Sequence, residues 1–307
     1  MNKTSYQLFL GDSYKSLQKM ADNSIDCCVT SPPYYNVRDY GMDEQIGREP
    51  DINLYILNLV NIFNEVFRVM KPTGTLWINI GDSYASNGGM RMPHKDSIGD
   101  KYNQSRNRTK YSKAGGNFEL QDTTKFGIGL KNLLGIPWRL AFALQNEGWI
   151  VRSEIIWNKP NTLPESVTDR PTKTHETVFF MTKNTNYFYD NSAILQTKLT
   201  NEFISKEKVI LLDSIKNLRT VWTIDPKKSR NIQHAAMFPD LLVEICIKLG
   251  CPKLGTILDP FLGSGTTGIV AIQNDFNFVG CELNLEYFEL AKKRIEFTSK
   301  KRKRQFF

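Results

Sequence analysis

Long apolar runs are missing from this sequence. No stretch approaches the ~18 uncharged residues that a membrane-crossing helix needs, so no transmembrane helix is expected. The first residues, Met1-Asn2-Lys3-Thr4-Ser5, carry no apolar signal core and lead straight into a strand-like run, which makes a cytoplasmic protein the expectation. Cysteine is scarce: Cys27, Cys28, Cys246, Cys251 and Cys281 are odd in number and fit no zinc spacing. A chain of 307 residues builds a core without staples, so buried free thiols in a reducing compartment and no metal are expected. No internal repeat occurs. What is present is an ordinary globular mixture, 40% hydrophobic and 23% charged, which excludes wholesale disorder. The length fits about two domains or one large α/β domain. Lys plus Arg number 40 against 32 for Asp plus Glu, a net charge of +8. That surplus suits a polyanionic partner such as nucleic acid, and suits equally a basic protein without one.

Periodicity gives the elements. Tyr6–Leu10 alternates and stops at Gly11-Asp12, a strand ending in a turn. Ile25–Thr30 is a short apolar strand whose exit, Ser31-Pro32-Pro33-Tyr34, cannot continue a ladder, because consecutive prolines lack N–H donors. Apolar residues at helical spacing predict a helix over 53–70, closed by Lys71-Pro72-Thr73-Gly74, and Thr75–Ile80 predicts a buried strand. Further helices are expected over 137–147, 238–249, 266–273 and 285–297, with strands over 149–157, 177–182, 255–259 and 276–282. This βαβ rhythm predicts a doubly wound, mostly parallel α/β sheet. Two stretches lack a pattern. One runs from Asp82 to Phe126, rich in Gly, Ser, Asn, Lys and Arg, and its length marks it as functional or disordered. The other runs from about 184 to 230 and reads as a smaller inserted module. The chain therefore divides into 1–183 with a mobile loop over 83–126, the insert 184–230, a second half 231–299, and a solvated basic tail 300–307.

Asp259-Pro260-Phe261-Leu262-Gly263-Ser264-Gly265-Thr266-Thr267-Gly268 joins an expected strand to an expected helix. Glycines there let the backbone approach a ligand, and the helix N-terminus offers unpaired N–H groups. The next strand ends at Glu282, where a carboxylate can accept both hydroxyls of a ribose. A dinucleotide oxidoreductase would need more sheet after the glycines than Gly268 to Phe307 can supply, so the N-terminal strands must complete it. This permuted order counts against NAD(P). At the other strand exit, the prolines fix two φ angles and hold carbonyls as pure acceptors, Ser31 adds a hydroxyl, and Tyr34 adds a flat face. That combination suits an exocyclic amino group on a stacked base.

On these residues the chain resembles the S-adenosylmethionine-dependent DNA amino-methyltransferases, in the permuted β order with the catalytic motif ahead of the cofactor motif. Ser31-Pro32-Pro33-Tyr34 resembles the catalytic tetrapeptide. Asp259 to Thr267 resembles the cofactor loop, and Gly280-Cys281-Glu282-Leu283-Asn284 the ribose-binding strand end. His234 to Leu242, including Phe238, is similar to the segment before that loop, and Gly11-Asp12 to the turn whose Asp faces adenine. The stretches 148–161 and 169–183 are also family-like. The resemblance implies a Rossmann-like methyltransferase fold with a target-recognition module. It implies Ser31, Pro32, Pro33 and Tyr34 as catalytic residues, and Asp12, Phe238, Asp259, Phe261, Gly263, Gly265, Thr266, Glu282 and Asn284 at the cofactor. It also implies a cognate restriction endonuclease as a genetic partner.

The implied reaction is direct methyl transfer to an exocyclic amine of a base flipped out of duplex DNA, with Ser31 and the Pro32 carbonyl binding the amine hydrogens. No side chain stands out as a general base, and the methylated amine can lose its proton to water. In the resembled family, Ser before Pro-Pro-Tyr goes mainly with cytosine N4, and Asp or Asn mainly with adenine N6. Cytosine N4 is therefore expected, and adenine N6 stays open. Methylation at cytosine carbon-5 needs a Pro-Cys nucleophile, and the chain has only Cys251-Pro252. An NAD(P)-linked oxidoreductase and a DNA-binding protein without catalysis remain as alternatives of other classes. DNA contacts are expected from the 83–126 loop, Arg106 and Arg108 among them, and from Trp222, Lys227, Lys228 and Arg230 in the insert. His175-Glu176 reads as a strand-edge pair.

Overall fold

Central strands buried on both faces have no polar side to offer, and Ile25–Thr30 is buried at every residue. The protein is seen here in a computed structural model that describes residues 4–90, 119–162, 165, 167–193, 218–226 and 239–304. In the first half the elements are β1 (Tyr6–Leu10), α1 (Ser13–Leu17), β2 (Ile25–Thr30), α2 (Ile52–Val69), β3 (Met70–Ile80), β4 (Asn87–Met90), β5 (Glu119–Asp122) and α3 (Ile136–Asn146). There follow β6 (Ile150–Asn158), β7 (His175–Thr182), β8 (Val221–Thr223), α4 (Asp240–Gly250), β9 (Thr256–Asp259), α5 (Thr266–Gln273), β10 (Asn277–Glu282) and α6 (Leu285–Arg304).

Eight strands form one sheet in the order β1-β10-β9-β2-β3-β7-β6-β8. The pairs from β1 to β3 are parallel, and β7 is antiparallel to both β3 and β6. Alternation sends side chains to two cores. Cys28, Leu76, Ile78, Phe179 and Leu258 join α2 and α3 on one face. Cys27, Trp77, Phe180 and Ile257 join α4, α5 and α6 on the other. The expected doubly wound, mostly parallel sheet is what the chain forms. All five cysteines are buried and free.

The two halves of the chain meet at the middle of the sheet. β9 leads through α5 outward to β10, whereas its neighbour β2 leads through α2 outward to β3 on the opposite side. The C-terminal ends of β9 and β2 thus lie together where the winding reverses, the place where open α/β sheets leave a crevice for ligands.

Four sequence expectations are corrected. Val221–Thr223 is a strand of the main sheet, parallel to β6, so this part of the expected insert belongs to the sheet. Trp222 is 3% exposed, packs near Trp77 and donates its indole N–H to the Arg219 carbonyl at 2.8 Å, which withdraws it from DNA contact. The expected tail over 300–304 continues α6, where Arg302 donates to the Ile272 carbonyl at 2.7 Å and pairs with Asp275. The ends of the 83–126 loop are also structured, since β4 and β5 pair antiparallel. No described helix is long and apolar enough to cross a membrane.

Candidate active site

A single carboxylate ties the two halves together. Asp259, at the end of β9, is 1% exposed and accepts the Thr30 hydroxyl at 2.7 Å, the Thr267 hydroxyl at 2.6 Å and the Phe261 N–H at 3.0 Å. Burial pushes its pKa up to about 6 in spite of these donors. Thr30 is the last residue of β2, so the bond brings Ser31-Pro32-Pro33-Tyr34 beside the glycine turn. Ser13 adds a second tie, donating to the Pro260 carbonyl at 2.5 Å.

The turn after β9 is built by conformations that favour glycine. Gly263 and Gly265 have φ of +53° and +88°. A Cβ built on Gly263 would meet only the Phe261 carbonyl oxygen, at 4.0 Å, so the space above the turn is open. At Gly265 a Cβ would come within 3.1 Å of the Ala291 backbone, so glycine also lets α6 approach. Glu282, at the end of β10, accepts the Gly263 N–H at 2.7 Å through one oxygen and the Asn284 N–H at 2.8 Å through the other. Burial raises its pKa to about 7. The Glu282 carbonyl accepts the Gly11 N–H at 2.8 Å, which brings the Gly11-Asp12 turn to the same strand end. Asp12 itself caps α1. The Asn284 side-chain carbonyl starts α6, accepting from Glu286 N at 2.8 Å. Phe261 stands edge-on to Phe63, and Thr266 is buried at the first position of α5. Phe238, Arg106, Arg108, Lys227, Lys228 and Arg230 lie outside the described residues.

On the other strand end, Pro33 offers its carbonyl to the Tyr55 hydroxyl at 2.8 Å. The Tyr34 ring lies against Gly81, where a Cβ would stand 2.6 Å from Tyr34 Cε2. Three residues that the sequence reading did not assign complete this corner. Asn79 Nδ2 donates to Tyr34 Oη at 2.9 Å and to Glu176 at 3.0 Å, and Tyr34 donates its hydroxyl to Glu176 at 2.7 Å. Lys159 is ion-paired with Glu176. Glu176 is thus no edge residue, since β7 runs between β3 and β6. Burial, with the Glu176 charge beside it, holds the Tyr34 phenol well above its ordinary pKa.

An open glycine turn, a carboxylate at the next strand end and a rigid hydroxyl-bearing corner lie together at one reversal of a Rossmann-like sheet. Two solved structures share this fold. One is the PvuII DNA methyltransferase, described as cytosine-N4-specific, with a TM-score of 0.66, 17% identity, and coverage of 97% of this chain and 93% of that one. The other is a putative DNA modification methylase from Thermus thermophilus in complex with S-adenosyl-L-methionine, with a TM-score of 0.59, 22% identity and 96% of both chains covered. The N6/N4 methyltransferase family model, described as DNA methylase, matches residues 25–293. Type II methyltransferase M.SmaI of Serratia marcescens is 44% identical over 294 residues, which covers 96% of this chain and 92% of that protein. Type II methyltransferase M.Cfr9I of Citrobacter freundii is 43% identical over 290 residues, 94% of this chain and 87% of that one. The chain belongs to the DNA methylase family.

Proposed function

We propose that this methylase transfers the methyl group of S-adenosylmethionine to the exocyclic N4 of cytosine in duplex DNA, as the modification component of a restriction–modification pair. The observation that carries the reading is the Thr30–Asp259 bond, which sets Ser31 next to the glycine turn. The residues present fit the cofactor. Glu282 keeps lone pairs for ribose hydroxyls after its two backbone bonds, and the turn at Gly263 has room above it. Asp12 and Phe261 flank the same crevice, with Phe238 assigned by resemblance. The bound cofactor supplies an electrophilic methyl on its sulfonium.

The chain supplies position and polarity. An amine conjugated to its ring is a weak nucleophile, so acceptors at Ser31 and the Pro32 carbonyl draw its hydrogens and favour a pyramidal nitrogen as the new N–C bond forms. The C–S bond breaks, and the nitrogen releases one proton to solvent. The amine cannot be reached inside a duplex, so the nucleotide must swing out, and the Tyr34 ring is the stacking face that receives it. Ser31, as a hydroxyl rather than an acid or amide, favours cytosine over adenine. The type II names of M.SmaI and M.Cfr9I support the modification role.

Duplex DNA methylated by the enzyme with labelled cofactor, digested to nucleosides and resolved by mass spectrometry, should yield N4-methylcytosine. N6-methyladenine in its place would overturn the base assignment. Ser31→Ala is expected to bind cofactor normally and to lose about 100-fold or more in turnover, the scale of removing one transition-state contact; undiminished turnover removes Ser31 from the mechanism.

A further inference from the structure

The partly buried array behind Ser31 constrains its own order of protons. Glu176 is a carboxylate ion-paired with Lys159, both side chains are 17% exposed, and a carboxylate only accepts. Tyr34, 2.7 Å away, must therefore aim its proton at Glu176 and not at Ser31. Asn79 faces that carboxylate at 3.0 Å, so the group it presents is the amide nitrogen, and the same Nδ2 lies 2.9 Å from Tyr34 Oη and 3.4 Å from Ser31 Oγ. The phenol oxygen, its own proton spent, is left as an acceptor 3.5 Å from Ser31 Oγ. At that distance the phenol oxygen is only a long-range acceptor for the Ser31 hydroxyl, and no group of this array donates to the open side of the serine, which leaves a lone pair there. Lys159 pairs with the carboxylate at the head of this chain, its ammonium also 4.2 Å above the Trp157 ring.

We propose that Glu176, anchored by Lys159, is a positioning residue that sets this proton order and so presents Ser31 to the target amine as an acceptor. The inference rests on the reading of Ser31 as the group that meets the amine. It also chooses between the two ways a serine can address cytosine: Ser31 accepts from the N4 amine and does not donate to ring N3. Glu176 reaches Ser31 at one remove. Its effect passes through Tyr34 and Asn79.

The test is a cycle of Glu176→Gln, Tyr34→Phe and the double variant, read by single-turnover methyl transfer, cofactor affinity and thermal melting. A glutamine can donate toward the phenol and scrambles the order. Glu176→Gln should lower the transfer rate by about 10–100-fold, the usual effect of removing an outer partner of a reacting group, with cofactor affinity unchanged. Tyr34→Phe should lose a similar factor with the Lys159–Glu176 pair intact. The double variant should fall within about twofold of Tyr34→Phe, since without the phenol there is no order to set. Wild-type rates in either single variant, losses that multiply in the double, or a weakened cofactor affinity would overturn the inference. If Glu176→Gln fails to fold, Tyr34→Phe decides alone. Rates are taken relative to wild type on whichever base it methylates, so a wrong base leaves the inference standing. Full turnover in Ser31→Ala sinks the catalytic reading, and the inference with it.

Discussion

Asp259 and Glu282 are both carboxylates at strand ends, and their surroundings assign them different work. Asp259 spends its oxygens on Thr30, Thr267 and the Phe261 N–H, and serves as a joint between the halves. Glu282 holds two backbone N–H groups and keeps spare lone pairs. Burial raises Glu282 from 4.5 to about 7, so the folded chain binds its proton more tightly than the unfolded chain. The neutral form's contribution to stability is therefore complete below the unfolded value, lost as pH rises toward about 7, and absent above it. In the proposed cofactor site, ribose hydroxyls need the opposite form, because they donate best to the ionised carboxylate. Affinity for S-adenosylmethionine should thus weaken as pH falls below about 7, by at most tenfold per unit for one proton. Calorimetric titration across that range checks it. Glu282→Gln should bind about 10–100-fold more weakly with a flat pH profile, the range for two charge-assisted hydrogen bonds reduced to neutral ones; a profile unchanged by the substitution would assign the titration elsewhere.

Among the elements, the closeness of α4 to the sheet depends on one position. Gly250 ends α4, its carbonyl accepts the Thr75 hydroxyl at 2.8 Å, and an added Cβ would stand 2.5 Å from Trp77 Nε1. Alanine gains up to ~1 kcal/mol in helix propensity, but overpacking against a fully buried tryptophan costs about 1–3 kcal/mol. Gly250→Ala should be destabilising on balance, seen as a lower urea midpoint with an unchanged slope. Elements were legible where their pattern was self-contained: β1, β2 and α5 have the bounds that their alternation and turn residues indicate. They were illegible where partners lie far along the chain. β8 is three residues with one apolar face, too short to alternate, and only β6 makes it a strand. The end of α6 reads as a charged tail until Arg302 finds the Ile272 carbonyl at the end of α5. Glu176 and Asn79 are neighbours only because β7 returns antiparallel to β3, pairing Val178 with Asn79, and no local spacing encodes that register. The strand-end motifs were legible because prolines and glycines mark their own backbone.

For the molecule as a whole, the net charge of +8 must be set against where its cations are spent. Arg68, Lys71, Lys159, Arg170, Lys248 and Arg302 are paired with acids in the described body. Between 91 and 113 the sequence places Arg91, Lys95, Lys101, Arg106, Arg108, Lys110 and Lys113 against only Asp96 and Asp100, and this segment is chemically suited to phosphates. Each neutralised phosphate releases counterions, so an interface with about six such contacts should lose roughly a thousandfold in DNA affinity between about 50 and 200 mM salt. Cofactor affinity, which in the proposed site rests on hydrogen bonds, should barely move over the same range. Replacing Arg106, Arg108, Lys110 and Lys113 together by glutamine should reduce the salt effect to roughly tenfold, the value for about two contacts, and leave the melting temperature in place. A salt dependence undiminished in that variant would move the phosphate contacts to the 227–230 run, where Lys227, Lys228 and Arg230 become the residues to replace.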